Sequence, residues 1–142
     1  MANDDEPMVE LTEDECWRRL ATVEGARVAI AVTVAGEAEV FPVNIVVDGR
    51  TVVFRTAEGT KLLAAVIAGR STVEADGFDP GPREAWSVVM KGTAEVVDDE
   101  RDYAAVEALP LKPWHPGPKG RWVRVRPTMI TGRSFRRSGA PQ

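Results

Sequence analysis

The chain has 142 residues, 44% of them apolar and 28% charged, with a formal net charge of −4. That length and mix give one globular domain with a real core and exclude a disordered chain. No apolar run approaches the roughly 20 residues of a membrane helix, and mild acidity argues against general nucleic-acid binding, which rests on neutralising phosphates.

The opening segment MANDDEPMVE is acidic and polar. It is unlike a secretory signal, so the expected place of work is the cytoplasm. Residues 1–10 read as a flexible tail. A helix follows. Thr12 and Glu15 have the spacing of a capping box, and Leu11 with Cys16 fits a hydrophobic staple. Cys16, Leu20 and Val23 fall on one helical face beside Trp17, and Gly25 offers a stop.

The period then changes to two. Arg27 to Val34, Val40 to Val47 and Thr51 to Thr56 read as strands of an antiparallel meander. Turns are expected at Gly36-Glu37 and Asp48-Gly49. Thr60 can cap a short helix over Lys61 to Ala68, with Gly69 as its stop. Ser71 to Ala75 reads as a strand, Asp76 to Arg83 as a loop, and Ala85 to Val97 as a long strand with a bulge or bend at Gly92. Asp98 and Asp99 begin a third short helix running through Val106. A Pro-rich loop leads to a last strand from Arg121 to Val125, continuing past Pro127 towards Phe135. These strands need cover on both faces, as in a closed barrel. The domain is expected over residues 11–135, with a loose tail at 136–142.

The single cysteine, Cys16, and the single histidine, His115, limit the chemistry. No disulfide can form within the chain, and one chain cannot assemble a typical zinc site. Cys16 reads as a small buried hydrophobe. His115 lies in the Pro-rich loop with no G-x-S-x-G elbow, so it reads as a loop residue rather than a triad member. Redox chemistry, if present, must come from a cofactor.

The segment from Phe41 to Lys61 is the most informative. Arg55 and Thr56 end a strand, and Thr60 and Lys61 open a helix a few residues later. Helix N-termini offer free N–H groups and a positive dipole end. Together with two cations and two hydroxyls, this corner suits a phosphate; the alternative is an ordinary turn with solvated cations. Pro42 interrupts an apolar strand, where something else can approach. Asn44 needs partners if it turns inward, from a ring of donors and acceptors or from backbone at a bulge. Trp86 can lie against a flat ring or pack in the core, and Ser87 can bond to a ligand oxygen. The stretch Arg121 to Arg137 carries six arginines and no acid, a place for an anionic partner or a solvated face.

The stretches ECWRRLA, RVAIAV, VFPVNIVVDGRTVVFRTAEGTKL, AWSVVMKGTAEVV and ITGRSF, in this order and spacing, resemble the pyridoxamine 5′-phosphate oxidase-like family of flavin-binding split barrels. The resemblance implies a mainly β fold, a six-stranded antiparallel Greek-key split barrel with short flanking helices. It implies a homodimer with FMN at the interface. Arg55, Thr56, Thr60 and Lys61 would hold the phosphate and ribityl chain, and Pro42, Val43 and Asn44 would lie along the flavin ring. Trp86 and Ser87 would reach the cofactor from the long strand, and Trp122 is a further contact. The Arg/His signature of true pyridoxamine phosphate oxidases is missing, since RWVRVRPTMITGRSFRRSG holds no histidine. That argues against vitamin B6 synthesis, and the resemblance implies a flavin-dependent oxidoreductase acting on a small molecule. The alternatives are a deazaflavin-dependent reductase, with the arginines meeting a longer anionic tail, a non-enzymatic flavin carrier or sensor, and a small interaction barrel with an empty site.

Overall fold

A computed structural model describes residues 8–22, 28–57, 59–98, 100–109 and 120–136. The elements run β1 (Met8–Glu10), α1 (Glu13–Ala21), β2 (Val28–Val34), β3 (Glu37–Val43), β4 (Val46–Asp48), β5 (Thr51–Thr56), α2 (Lys61–Ala68), β6 (Arg70–Asp79), β7 (Glu84–Val96), α3 (Glu100–Glu107) and β8 (Arg121–Arg136).

The strands form one antiparallel sheet ordered β3-β2-β6-β7-β8-β5-β4, with β1 added against β8. β3 and β4 stand at opposite ends of that order, yet only Asn44 and Ile45 join them. The sheet must therefore curl until its two ends meet at this dipeptide, which closes a barrel. β8 is shared lengthwise. Its start, Arg121 to Val125, pairs with β5 and Arg133 to Phe135 pair with β1, while its other edge pairs with β7 from Val123 to Arg136. That shared strand splits the barrel.

Eight strands are present where six are expected. Two physical causes account for the difference. Met8–Glu10, within the expected tail, pairs with the end of β8 in register Met8 to Phe135. The single strand expected over Val40 to Val47 breaks at Asn44, because the chain there leaves one sheet edge for the other. β6 is also longer than expected and takes in Asp76 to Asp79. Gly77 allows this, since a Cβ there would lie 2.8 Å from atoms of the Trp86 indole.

Local signals explain the helices. Thr12 accepts from the Glu15 N–H while Glu15 accepts from the Thr12 N–H, the reciprocal capping box. α1 ends at Thr22; Gly25, the expected stop, and Val23 lie outside the described residues. Thr60 caps α2 and Gly69 ends it. α3 starts at Glu100, just after the acids expected to open it.

The β7–β8 ladder shifts register at Gly92, as a bulge does. A side chain on Gly92 would run into the Arg126 carbonyl. Gly49, at φ +64°, turns the β4–β5 hairpin.

The barrel interior holds Ile30, Phe54, Val73, Val88, Met90, Val123 and Val125, closed by Cys16, Trp17 and Leu20 of α1 and by Leu62, Leu63 and Val66 of α2. A second cluster lies outside the barrel wall. There Val53, Val97, Val106 and Trp122 pack under α3. Among the described residues no helix is long and apolar enough to cross a membrane.

Candidate functional site

The β5–α2 corner is built by two threonines. The Thr60 hydroxyl donates to the Ala57 carbonyl at 3.0 Å. With its one proton spent, it accepts from the Leu63 N–H at 3.1 Å and from the Thr56 hydroxyl at 3.0 Å. Thr56 and Thr60 thus brace strand end against helix start. Lys61, the first residue of α2, is exposed and has no ion pair among the described residues. The backbone just before β8 closes from the other side. Gly120 approaches so near that a Cβ would run into the Thr56 carbonyl oxygen.

Arg55 leaves β5 on the face opposite Thr56. Its guanidinium carbon lies 4.8 Å from the centroid of the Trp122 ring. The Trp122 indole N–H donates to Glu107 Oε2 at 2.5 Å, and the same oxygen lies 3.8 Å from Arg55 Nη2, an ion pair too long for a hydrogen bond. Arg55 Nε and Nη2 are buried and have no hydrogen-bond partner among the described residues. These two donors form one edge of the guanidinium, the edge that grips an oxyanion with two parallel bonds. Leaving such donors buried and unmade costs about 1–3 kcal/mol. A phosphate or carboxylate oxygen pair would satisfy both, so the residues present fit an anion. Because Arg55 and Thr56 occupy opposite faces, a ligand touching both must wrap the end of β5.

The other expected site residues lie elsewhere in the chain. Val43 is buried in the interior cluster, Pro42 is exposed on the opposite face of β3, and Asn44 is half-buried at the crossing between sheet edges. Trp86 points into the barrel, 8% exposed, with the Arg19 guanidinium 5.8 Å from its ring and Arg19 held by Glu84 at 2.9 Å. Ser87 points outward from the neighbouring position. Trp86 pairs with Ser134, whereas Arg55 pairs with Trp122 at the other end of β8. Within one chain, therefore, Trp86 and Ser87 do not join the corner. His115 and the loop around it lie outside the described residues.

The arginines of the last strand have local occupations. Arg121 meets Asp98 at 2.9 Å and Arg126 meets Glu95 at 2.6 Å. Arg124 is buried and reaches Asp48, Asp102 and Thr51 at 2.8, 2.8 and 2.7 Å. Three of the six thus balance acids of the same chain, which weakens the case for a long anionic tail along them. Among the described residues, no group of three or more His, Cys, Asp or Glu side chains can hold a metal ion.

Sequence reasoning missed Glu107, Gly120 and Arg124. The alternation Trp122-Val123-Arg124-Val125 could have placed Trp122 and Arg124 together, away from the core face. Nothing local in the sequence pairs Glu107 with Trp122.

A curled, split antiparallel barrel of this strand order matches the fold of the flavin-binding split barrels. Residues 12–134 match the pyridoxamine 5′-phosphate oxidase family, and the chain belongs to it. It is similar to an FAD-binding protein of Mycobacterium smegmatis at 44% identity and a TM-score of 0.79, over 91% of this chain and 99% of that one. It is similar to a Corynebacterium glutamicum protein proposed to be a pyridoxamine 5′-phosphate oxidase, at 37% identity and a TM-score of 0.84, over 97% of this chain and 100% of that one. An uncharacterised Mycobacterium tuberculosis protein is 38% identical over 131 residues, 88% of this chain and 84% of its own length.

Proposed function

We propose that this chain binds a flavin nucleotide by its phosphate at the β5–α2 corner and serves, as a homodimer in the cytoplasm, as a flavin-dependent oxidoreductase for a small molecule. The observation that carries the reading is the buried Nε/Nη2 edge of Arg55, which makes no hydrogen bond among the described residues, at the end of the strand that leads into the helix start bearing Lys61. Arg55 would take two phosphate oxygens, Lys61 would neutralise the remaining charge, and the first N–H groups of α2 would add to both. Thr56 and Thr60 hold that frame. When bound, the flavin supplies hydride acceptance and donation at N5, which suits a chain with so few candidate catalytic side chains. FMN is the preferred nucleotide, because the corner is compact.

A second copy has a face to cover. Met8, Phe135, Ala85 and Phe78 are directly paired across four strands, and Met8, Phe135 and Phe78 are 38–47% exposed. Such an apolar row marks an interaction surface. Pro42 and Ser87 also point outward, so a flavin seated between two copies would meet them there, with Val43 and Asn44 behind Pro42. Trp86 would act by packing beneath Ser87. The FAD bound by the M. smegmatis relative, at 44% identity, favours a second reading in which the nucleotide is FAD.

The test is an absorbance titration of purified protein with FMN and with FAD, repeated with R55A and K61A. Saturable binding, weakened at least tenfold in both variants, supports the phosphate corner. Indifference of both variants refutes it. Reduction of the bound flavin by NADH or NADPH, followed by reoxidation by an added acceptor, separates an oxidoreductase from a carrier.

A further inference from the structure

We infer that Glu107 and Trp122 are positioning residues for Arg55, and that α3 thereby sets how strongly this protein tells a phosphorylated flavin from an unphosphorylated one. The inference deepens the phosphate reading of the same corner and rests on it.

The indole of Trp122 supports one face of the guanidinium at 4.8 Å. A contact over the ring face restrains the guanidinium without using any of its five N–H donors. The carboxylate of Glu107 adds the second constraint. Oε2 takes the indole N–H at 2.5 Å and stays 3.8 Å from Arg55 Nη2. At that distance it attracts the cation but takes no hydrogen bond from it. Among the described residues Nε and Nη2 therefore make no hydrogen bond, and the two lie along one edge of the guanidinium. A guanidinium free to turn would lose rotamer entropy on meeting a phosphate, whereas this one is set beforehand.

The parts come from three elements. Arg55 belongs to β5, Trp122 to β8 opposite it in register, and Glu107 to the last turn of α3. α3 is fastened beside them by Val106, which packs with Trp122 and Val53. α3 also carries Asp102, bonded to Arg124 on the same face of β8. The helix is therefore tied at two points along β8, and Glu107 is delivered at a fixed height over Trp122.

The test compares FMN and riboflavin binding by flavin-fluorescence titration in wild type, R55A, E107A, E107Q and W122F. Riboflavin lacks the phosphate, so its affinity reports general folding of the site. W122F keeps an aromatic face but loses the N–H, and E107A loses the acceptor. Both are expected to weaken FMN binding about tenfold with riboflavin binding unchanged. E107Q keeps an oxygen for the indole and is expected to stay within about threefold of wild type. If E107A and W122F bind FMN as wild type does while R55A does not, the positioning role is overturned and the phosphate corner stands. If E107A and W122F lose FMN and riboflavin equally, the two residues are merely structural and the inference is also overturned. If R55A binds FMN normally, or wild type binds no flavin, the phosphate reading itself fails and takes this inference with it.

Discussion

Thr56 and Thr60 face one another across the β5–α2 corner with their hydroxyl oxygens 3.0 Å apart. The contact makes one hydroxyl, that of Thr60, serve as helix cap, turn donor and strand anchor together. T60A should therefore cost about 0.5–2 kcal/mol, the range for loss of an N-cap. It should also weaken flavin binding, because the strand end is no longer held to the helix. T60S keeps the oxygen and should behave nearly as wild type. Urea melts of the three proteins check the stability difference, and equal midpoints for T60A and wild type would refute the role given to this hydroxyl.

Gly120, the residue before β8, meets the same corner. Any Cβ there would run into the Thr56 carbonyl, and backbone cannot swing aside as a side-chain tip can. G120A should be destabilising by about 1–3 kcal/mol, the usual cost of overpacking. Its effect on FMN affinity should exceed that of an alanine at Gly69, where nothing lies within 4 Å of the added atom. Thermal melts and FMN titrations of G120A and G69A give the comparison.

Local rules made much of this fold legible. The capping box at Thr12 and Glu15, the Thr60 cap and the Gly92 bulge each depend on residues close in sequence or on one special position, and each appears as expected. The family's split barrel was readable from the order of its strand segments. The strand count was not. Val40 to Val47 has a continuous apolar pattern, and only closure of the sheet forces the chain to change edges at Asn44. Met8–Glu10 carries no strand signal strong enough to stand alone, since its pairing depends on the far end of β8. Arg55, Thr56, Thr60 and Lys61 could be singled out by sequence proximity. Glu107 could not, because only tertiary packing places α3 over Trp122.

Arg124 is the most buried charged side chain in the described structure, 5% exposed, and ties the β4–β5 hairpin and α3 to β8 through Asp48, Thr51 and Asp102. R124M would leave two carboxylates without their arginine. Both carboxylates reach water, so the loss should be smaller than for a fully buried pair, about 2 kcal/mol. R124K keeps the charge but cannot span three partners, and should fall between wild type and R124M. Adding D48N and D102N to R124M should recover part of the loss. Urea unfolding of the series tests this, and a neutral R124M would show that the network adds no net stability.

Glu74 gives the protein a pH dependence of unusual sign. Burial raises its carboxyl, and the hydrogen bond and negative charge of Asp76 raise it further, to about 7. Lys91 stands opposite Thr72, two residues from Glu74 along β6. In the unfolded chain a glutamate ionises near 4.3. The folded state therefore binds this proton more tightly than the unfolded state does. The stabilisation is full below the unfolded value and is lost as pH rises through about 7. Ionised Glu74 beside Asp76 then stands as a partly desolvated like-charge pair. E74Q cannot ionise and removes this dependence. Its melting temperature relative to wild type should climb from pH 5 to about pH 7 and level off above that, with the variant the more stable at the upper end. D76N removes the neighbouring charge and should shift the same transition downward in pH. A difference between E74Q and wild type that stays constant across this range would show that Glu74 titrates as an ordinary surface carboxylate.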